Sequence, residues 1–199
     1  MEKRRTTKSE DTRDKILGAA IRRFSKFGYR RTSIDDVAEE AGVARATVYL
    51  YWTRKEDLFV AGLERFNVHS WKIAEAAAAK KGSAAERIRA MVLAQYGVTS
   101  DIVHGTPSGH ELFQANLQFG RAVVEECLRH GQKLLTRLLQ QGIRDGEFDL
   151  RRSSARTTDI AHIIVSFAQN SLIDRHHTPL SYRKSLCKTL NFILASIRA

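Results

Sequence analysis

Proline and cysteine are scarce in this chain: two of each in 199 residues, with no proline before Pro107. A long proline-free stretch without clustered glycines argues against a succession of tight hairpins and for helices. Cys127 and Cys187 stand far apart with no Cys-x-x-Cys spacing, which excludes a disulfide framework and a structural zinc site; reduced buried thiols are expected, with a redox pair as the alternative. No apolar run approaches the roughly 18 to 20 residues needed to span a bilayer. Met1-Glu2-Lys3-Arg4-Arg5 leads into polar residues rather than a signal-peptide core. A soluble, cytoplasmic protein with no membrane partner is expected. No Gly-rich phosphate loop, Gly-x-Ser-x-Gly elbow or His-Glu-x-x-His string is present, so neither catalysis nor a cofactor is expected. An enzyme built on His110 and Glu111 has only their adjacency behind it. Histidines do not make a metal site either: His176 and His177 are neighbours that cannot face one centre from a helix, and His104 and His110 lie in or beside an irregular segment.

What the chain has is basic charge and helical pattern. Lys and Arg number 33 against 22 Asp and Glu, a net charge of +11, while 43% apolar content is enough to fold. Nucleic acid is the first partner such a balance suggests. The excess is uneven: residues 1–31 hold 11 basic and 4 acidic side chains, residues 32–66 hold 4 and 7, and residues 67–199 hold 18 and 11. Lys3, Arg4, Arg5 and Lys8 suit an arm along a nucleic-acid backbone or into a minor groove, with a solvated tail as the alternative.

The spacing predicts a first helix after Ser9, its apolar face formed by Ile16, Leu17, Ala20, Ile21, Phe24 and Phe27, stopped by Gly28. Ser33-Ile34-Asp35-Asp36 caps a short second helix ending at Gly42, and a third runs from Arg45 to about Tyr51. Thr53-x-x-Glu56 reads as a capping box opening a long fourth helix, Arg54 to about Lys80, with Gly82 after it. Ser83-x-x-Glu86 opens a fifth, faced by Ile88, Met91, Val92, Gln95 and Tyr96. Thr99 to Ser108 is the least regular interior stretch. Helical runs resume near Gly109 and near Phe119, the latter reaching Gly142, and Asp145-Gly146 is a turn. The last two helices, around Ile160 to Leu172 and Leu186 to Ile197, are the most apolar. The fold class is all-α with about nine helices.

Thr32 to Leu58 is the informative segment. Two short helices joined through Ala41-Gly42-Val43 form a helix-turn-helix pattern, whose second helix, Ala44 to Tyr51, is the one placed in a major groove. The string Gly28-Tyr29-Arg30-Arg31-Thr32-Ser33-Ile34-Asp35-Asp36-Val37-Ala38-Glu39-Glu40-Ala41-Gly42-Val43-Ala44-Arg45-Ala46-Thr47-Val48-Tyr49-Leu50-Tyr51-Trp52-Thr53-Arg54-Lys55-Glu56-Asp57-Leu58 is similar to the tetracycline-repressor (TetR) family of one-component bacterial regulators. It departs from the family pattern at Ala44, where a capping Ser is frequent, at Ala46, where Gly or Pro is frequent, and at Trp52, where Phe is usual.

The resemblance implies an N-terminal helix-turn-helix DNA-binding domain, residues 1–53, joined to a C-terminal helical regulatory, ligand-binding and dimerisation domain, residues 54–199. By the same resemblance Thr32 and Ser33 match a phosphate-contacting pair, Tyr49 and Tyr51 match phosphate-binding aromatics, and Lys55 matches a lysine gripping the flanking backbone. Ala44, Arg45, Ala46 and Thr47 make the reading turn. Arg45 suits guanine O6 and N7 or a phosphate, and Ala46 and the Thr47 methyl suit thymine. Tyr49 has a core position as its alternative; Val48 and Trp52 are expected in the core.

In the family plan an effector sits among the fifth to eighth helices. Residues there with apolar or amide character are Trp71, Met91, Gln95, Tyr96, His110, Phe113, Gln114, Asn116, Phe119, Phe167, Gln169 and Asn170. Gln95, Gln114 and Asn170 are the stronger candidates, because burying an amide without a partner costs about 1–3 kcal/mol. Little acid on these segments points to a neutral or anionic hydrophobic compound. Wide apolar stripes on the last two helices predict a homodimer through a four-helix bundle. Two-fold symmetry then predicts an inverted-repeat operator, with readers about 34–36 Å apart or a multiple of that. The reading is a ligand-responsive transcriptional repressor of double-stranded operator DNA, in which ligand entry tilts the fourth helix. The alternative is a helical small-molecule-binding or interaction protein without sequence-specific DNA binding, which Ala44 and the acidic second helix would favour.

Overall fold

A computed structural model describes residues 2–151 and 154–199, without the side chains of residues 2–8. Among the described residues there are nine α-helices and no strand: α1 (Glu2–Phe27), α2 (Ile34–Ala41), α3 (Arg45–Tyr49), α4 (Lys55–Ala78), α5 (Ala84–Val103), α6 (Gly109–Phe119), α7 (Arg121–Arg144), α8 (Thr157–Asn170) and α9 (Pro179–Ser196). A single 3₁₀ turn, Ser171–Ile173, follows α8.

The chain forms two compact units, residues 1–66 with 106–123, and residues 67–105 with 124–199. In the first, α1 buries Ile16, Leu17, Ala20 and Phe24 at steps of three and four and packs on α2, and Val37 and Ala38 of α2, Val48 of α3 and Leu58 and Phe59 of α4 are buried in the same unit. Phe24, Tyr29 and Phe59 form an aromatic cluster with centroids 5.1 to 5.9 Å apart, in which Phe59 meets the other two rings edge-to-face and Phe24 and Tyr29 stack. Unit two is a bundle whose fully buried side chains include Ile88, Met91, Leu135, Leu139, Ile164, Tyr182 and Leu190. Each such aliphatic side chain contributes about 1.5–3 kcal/mol of burial.

Several local expectations need correction. The first helix does not begin after Ser9 but at Glu2; nothing between them breaks a helix, and the Ser9 hydroxyl lies 3.1 Å from the Tyr51 hydroxyl instead of capping. The side chains of Lys3, Arg4, Arg5 and Lys8, read as an arm, lie outside the described residues. No Thr53 capping box forms at α4: the Glu56 carboxylate accepts from the Tyr29 hydroxyl at 2.8 Å, and the Arg54 carbonyl takes the first helical bond, from the Leu58 amide. The irregular stretch expected from Thr99 is shorter, because α5 continues to Val103. The Ser83 box at α5 does form, with the Glu86 amide bound to the Ser83 hydroxyl and the Ser83 amide to the Glu86 carboxylate.

Candidate nucleic-acid interface and the polar interior

The reader is built on a tight turn. Gly42 at φ +67 ends α2 in the left-handed conformation that glycine adopts without a Cβ penalty, and its amide bonds the Ala38 and Glu39 carbonyls. Ala44 precedes α3 with no side-chain cap, as its departure from the usual Ser implies. Val48 is fully buried and Trp52 nearly so, which fixes the orientation of the opposite face. Ala44, Arg45, Ala46 and Tyr49 are exposed and Thr47 half-buried. Tyr49, at 41% exposure, is therefore no core residue.

Arg45 donates to the Asp35 carboxylate at 2.7 Å and to the Tyr49 hydroxyl at 3.2 Å, with its guanidinium 5.5 Å from the Tyr49 ring centroid. The Tyr49 hydroxyl and the Asp35 charge both raise its pKa. Side chains of Arg45 and Asp35 are 58% and 60% exposed, and such pairs contribute about 0–1 kcal/mol. A bidentate contact to guanine discriminates by about 1–3 kcal/mol, so the internal pair is the weaker competitor for Arg45.

The other expected contacts divide. Ser33 is exposed at the start of α2, where its hydroxyl accepts from the Asp36 amide at 3.1 Å. Thr32 lies inside: it is buried, and its hydroxyl donates to the Gly28 carbonyl at 2.8 Å. Lys55 points inward too, donating to the Tyr29 and Thr32 carbonyls at 3.1 Å each with its ammonium 4.2 Å from the Tyr29 ring centroid. Both close the turn between α1 and α2. The half-buried Tyr51 donates to the Ser9 carbonyl at 3.1 Å.

The acidic second helix does not present a bare negative face. Arg22 bonds Glu40 at 2.7 Å, Arg23 meets Asp36 at 2.8 Å and Glu40 at 3.8 Å, and Asp35 holds Arg45. Hydrogen bonds from the Ser33 side chain and backbone, then the Arg23 charge, hold the Asp36 carboxyl below the usual carboxylate range. Sequence reading did not single out Arg22 or Arg23. It also missed the role of Glu111, read there only as the neighbour of His110: its carboxylate accepts from the Arg30 amide at 2.6 Å and ties α6 to the turn after α1. In the same place Phe119 of α6 meets Tyr29 at 4.9 Å.

The effector candidates fall in both units. His110, Phe113, Gln114, Asn116 and Phe119 belong to the first; Trp71, Met91, Gln95, Tyr96, Phe167, Gln169 and Asn170 belong to the second. Trp71, Met91, Gln95, Tyr96 and Phe113 are buried, and His110, Phe119 and Phe167 half-buried. Gln114 and Asn170 are exposed, so neither is an enclosed amide: Gln114 faces outward beside the buried Phe113, and Asn170 ends α8. Gln95 fits the description. Its amide nitrogen meets the Cys127 sulfur at 3.5 Å, while its Oε1 is buried without a hydrogen bond. Burial pushes the Cys127 thiol up to about 11, against hydrogen bonds from Trp71 and Gln95 that lower it. Burial raises the Tyr96 hydroxyl as well.

Among the described residues no group of three or more His, Cys, Asp or Glu is placed to hold a metal, and no helix is long and apolar enough to cross a membrane.

Comparison with known proteins bears on the whole arrangement. The family described as "Bacterial regulatory proteins, tetR family" matches residues 16–61, which contain α2 and α3 entire. The fatty acid metabolism regulator protein of Bacillus subtilis is 27% identical over 133 residues, 66% of this chain and 68% of that protein. Among solved structures, a transcriptional regulator from Cytophaga hutchinsonii superposes with a TM-score of 0.77 at 18% identity, covering 92% of this chain and 97% of its own. FadR of Bacillus subtilis, solved in complex with stearoyl-CoA, superposes at 0.67 with 21% identity, covering 92% and 98%. At those identities the superpositions speak to the fold, while the match over residues 16–61 covers the reading helix and its turn. With the reader's exposed face and buried anchors, that match makes residues 16–61 similar to the helix-turn-helix segment of the tetR family of bacterial regulatory proteins.

Proposed function

We propose that this protein is a transcriptional repressor that binds an inverted-repeat operator as a homodimer in the cytoplasm and is released by a small molecule. The observation that carries the reading is the split between the outward face of α3, Arg45, Ala46 and Tyr49, and a buried anchor formed by Val48 of α3 and Trp52 just after it. Residues 1–53 serve recognition and residues 54–199 regulation and dimerisation, with Ser33, Ala44, Thr47 and Tyr51 at the edges of the DNA contact and Thr32 and Lys55 shaping it from within.

Pairing through the last two helices is supported by Ile163 on α8 and Leu180 and Phe192 on α9, which are 52%, 62% and 77% exposed. Apolar side chains that open are suited to a second copy of the same face. The effector is an anionic or neutral hydrophobic compound held among Trp71, Met91, Gln95, Tyr96 and Phe167. The unpartnered Gln95 oxygen supports this, as does the stearoyl-CoA bound by one structural neighbour. Ligand entry tilts α4 and changes the separation of the two readers. By linkage it releases DNA only by as much as the ligand prefers the non-binding form.

Mobility-shift titration with the intergenic DNA upstream of the gene, alongside selection from random duplexes, tests the reading. A salt-sensitive shift that converges on an inverted repeat is expected. Absence of any sequence-specific shift at low salt overturns it.

A further inference from the structure

The second unit carries a net positive charge that the DNA-binding reading does not use. Part of it is concentrated along α7, where Arg129, Lys133 and Arg137 recur every fourth residue and line one surface cavity of about 630 Å³ with His130, Thr136 and Thr158. Steps of four residues set successive cations about 6 Å apart on one helix face. Like charges in that register repel, so the stripe carries a standing electrostatic cost.

Neighbouring carboxylates relieve it only at one end. Arg129 bonds Glu126 at 2.5 Å, and His130 meets Glu75 at 2.9 Å. Lys133 and Arg137 have no carboxylate partner among the described residues. Thr158 lies in the first turn of α8, where the helix dipole adds positive potential. The cavity also adjoins the polar interior. His130 packs on the buried Trp71 with centroids 4.3 Å apart, Trp71 hydrogen-bonds Cys127, and the Cys127 sulfur meets the Gln95 amide nitrogen.

We propose that this groove binds a multiply charged organic phosphate, as the head-group subsite of the effector; that role rests on the regulator reading above, whereas the site itself does not. Two unpaired cations a helical turn apart match an anion whose charges are similarly separated, and a single carboxylate would engage only one. Arg137 offers a planar fork suited to phosphate oxygens, Lys133 a point charge, and Thr158 a hydroxyl donor. The volume lies within the range of small-molecule sites and is far larger than one phosphate needs.

Coenzyme A and inorganic pyrophosphate are the probes, titrated into the full chain by calorimetry and by intrinsic tryptophan fluorescence, in which Trp71 beside His130 reports occupancy. Saturable binding of coenzyme A is expected, with pyrophosphate weaker and competitive. The double variant Lys133→Ala/Arg137→Ala, both positions exposed, should bind about tenfold or more weakly with unchanged helix content and thermal midpoint. The control Lys80→Ala/Lys81→Ala, which removes the same charge from exposed positions elsewhere, should bind like the wild type. Equal losses in the two double variants, undiminished binding in the first, or no binding to the wild type each overturn the site. If binding follows this pattern while no protein shows a specific DNA shift, the site stands and the regulator reading fails.

Discussion

Arg45 is where recognition rests on one side chain. Its partners Asp35 and Tyr49 hold it extended across the start of α3, and both are weak enough for DNA to replace. Arg45→Ala should therefore weaken operator binding or relax its specificity by about 1–3 kcal/mol, measured by competition between operator and mismatched duplexes. Unchanged affinity and discrimination would remove Arg45 from the interface. Asp36 makes a second residue-scale prediction, about stability. Its folded-state pKa is lowered by Ser33 and Arg23, so its contribution is present above the unfolded carboxylate range and lost as pH falls through the folded value. Urea unfolding of Asp36→Asn should show a deficit at neutral pH that shrinks as pH falls below about 4. A constant deficit would mean that the ion pair and cap do not carry it. The sequence displayed both residues, but not their partners: Asp35 and Arg45 are ten positions apart and meet only because Gly42 reverses the chain.

At the scale of elements, capping and turn chemistry were largely legible. Ser33, Ser83 and the glycines at positions 28, 42 and 146 mark the ends where the structure has them. The Thr53 box was not legible, because Glu56 is drawn to the Tyr29 hydroxyl, a partner 27 residues away. The docking of α6 on the turn after α1 was equally hidden. At Gly28, φ is +86 and an added Cβ would lie 2.8 Å from the Glu111 Oε2 and 3.1 Å from the Ser108 Cβ, whereas at Gly42, φ +67, a Cβ would meet nothing within 4 Å. Gly42→Ala should cost only the backbone term, about 1–2 kcal/mol, and Gly28→Ala should cost more, in denaturant midpoints on the full chain. Equal costs would show that α6 yields without loss.

At the scale of the whole molecule, assembly is the open quantity that function needs. An exposed Phe192 and Ile163 are expected to bury against a second copy, each side chain contributing about 1.5–3 kcal/mol. Phe192→Glu should shift sedimentation towards monomer and lower operator affinity about tenfold or more, with the helical signal retained. A variant that stays dimeric would move the interface off this face of α9.

The sequence by itself determined the class of molecule. Helical periodicity, caps and the Thr32 to Leu58 string are local properties, and short-range hydrogen bonding and hydrophobic spacing express them wherever the chain folds. Tertiary structure decided what each charge does. Arg22 and Arg23 neutralise α2, Thr32 and Lys55 turn inward to hold a turn, Gln114 and Asn170 stay in water, and Lys133 and Arg137 have no carboxylate partner among the described residues. Burial and pairing are sums over neighbours distant in sequence, and one side chain is free or spent according to which helices pack beside it.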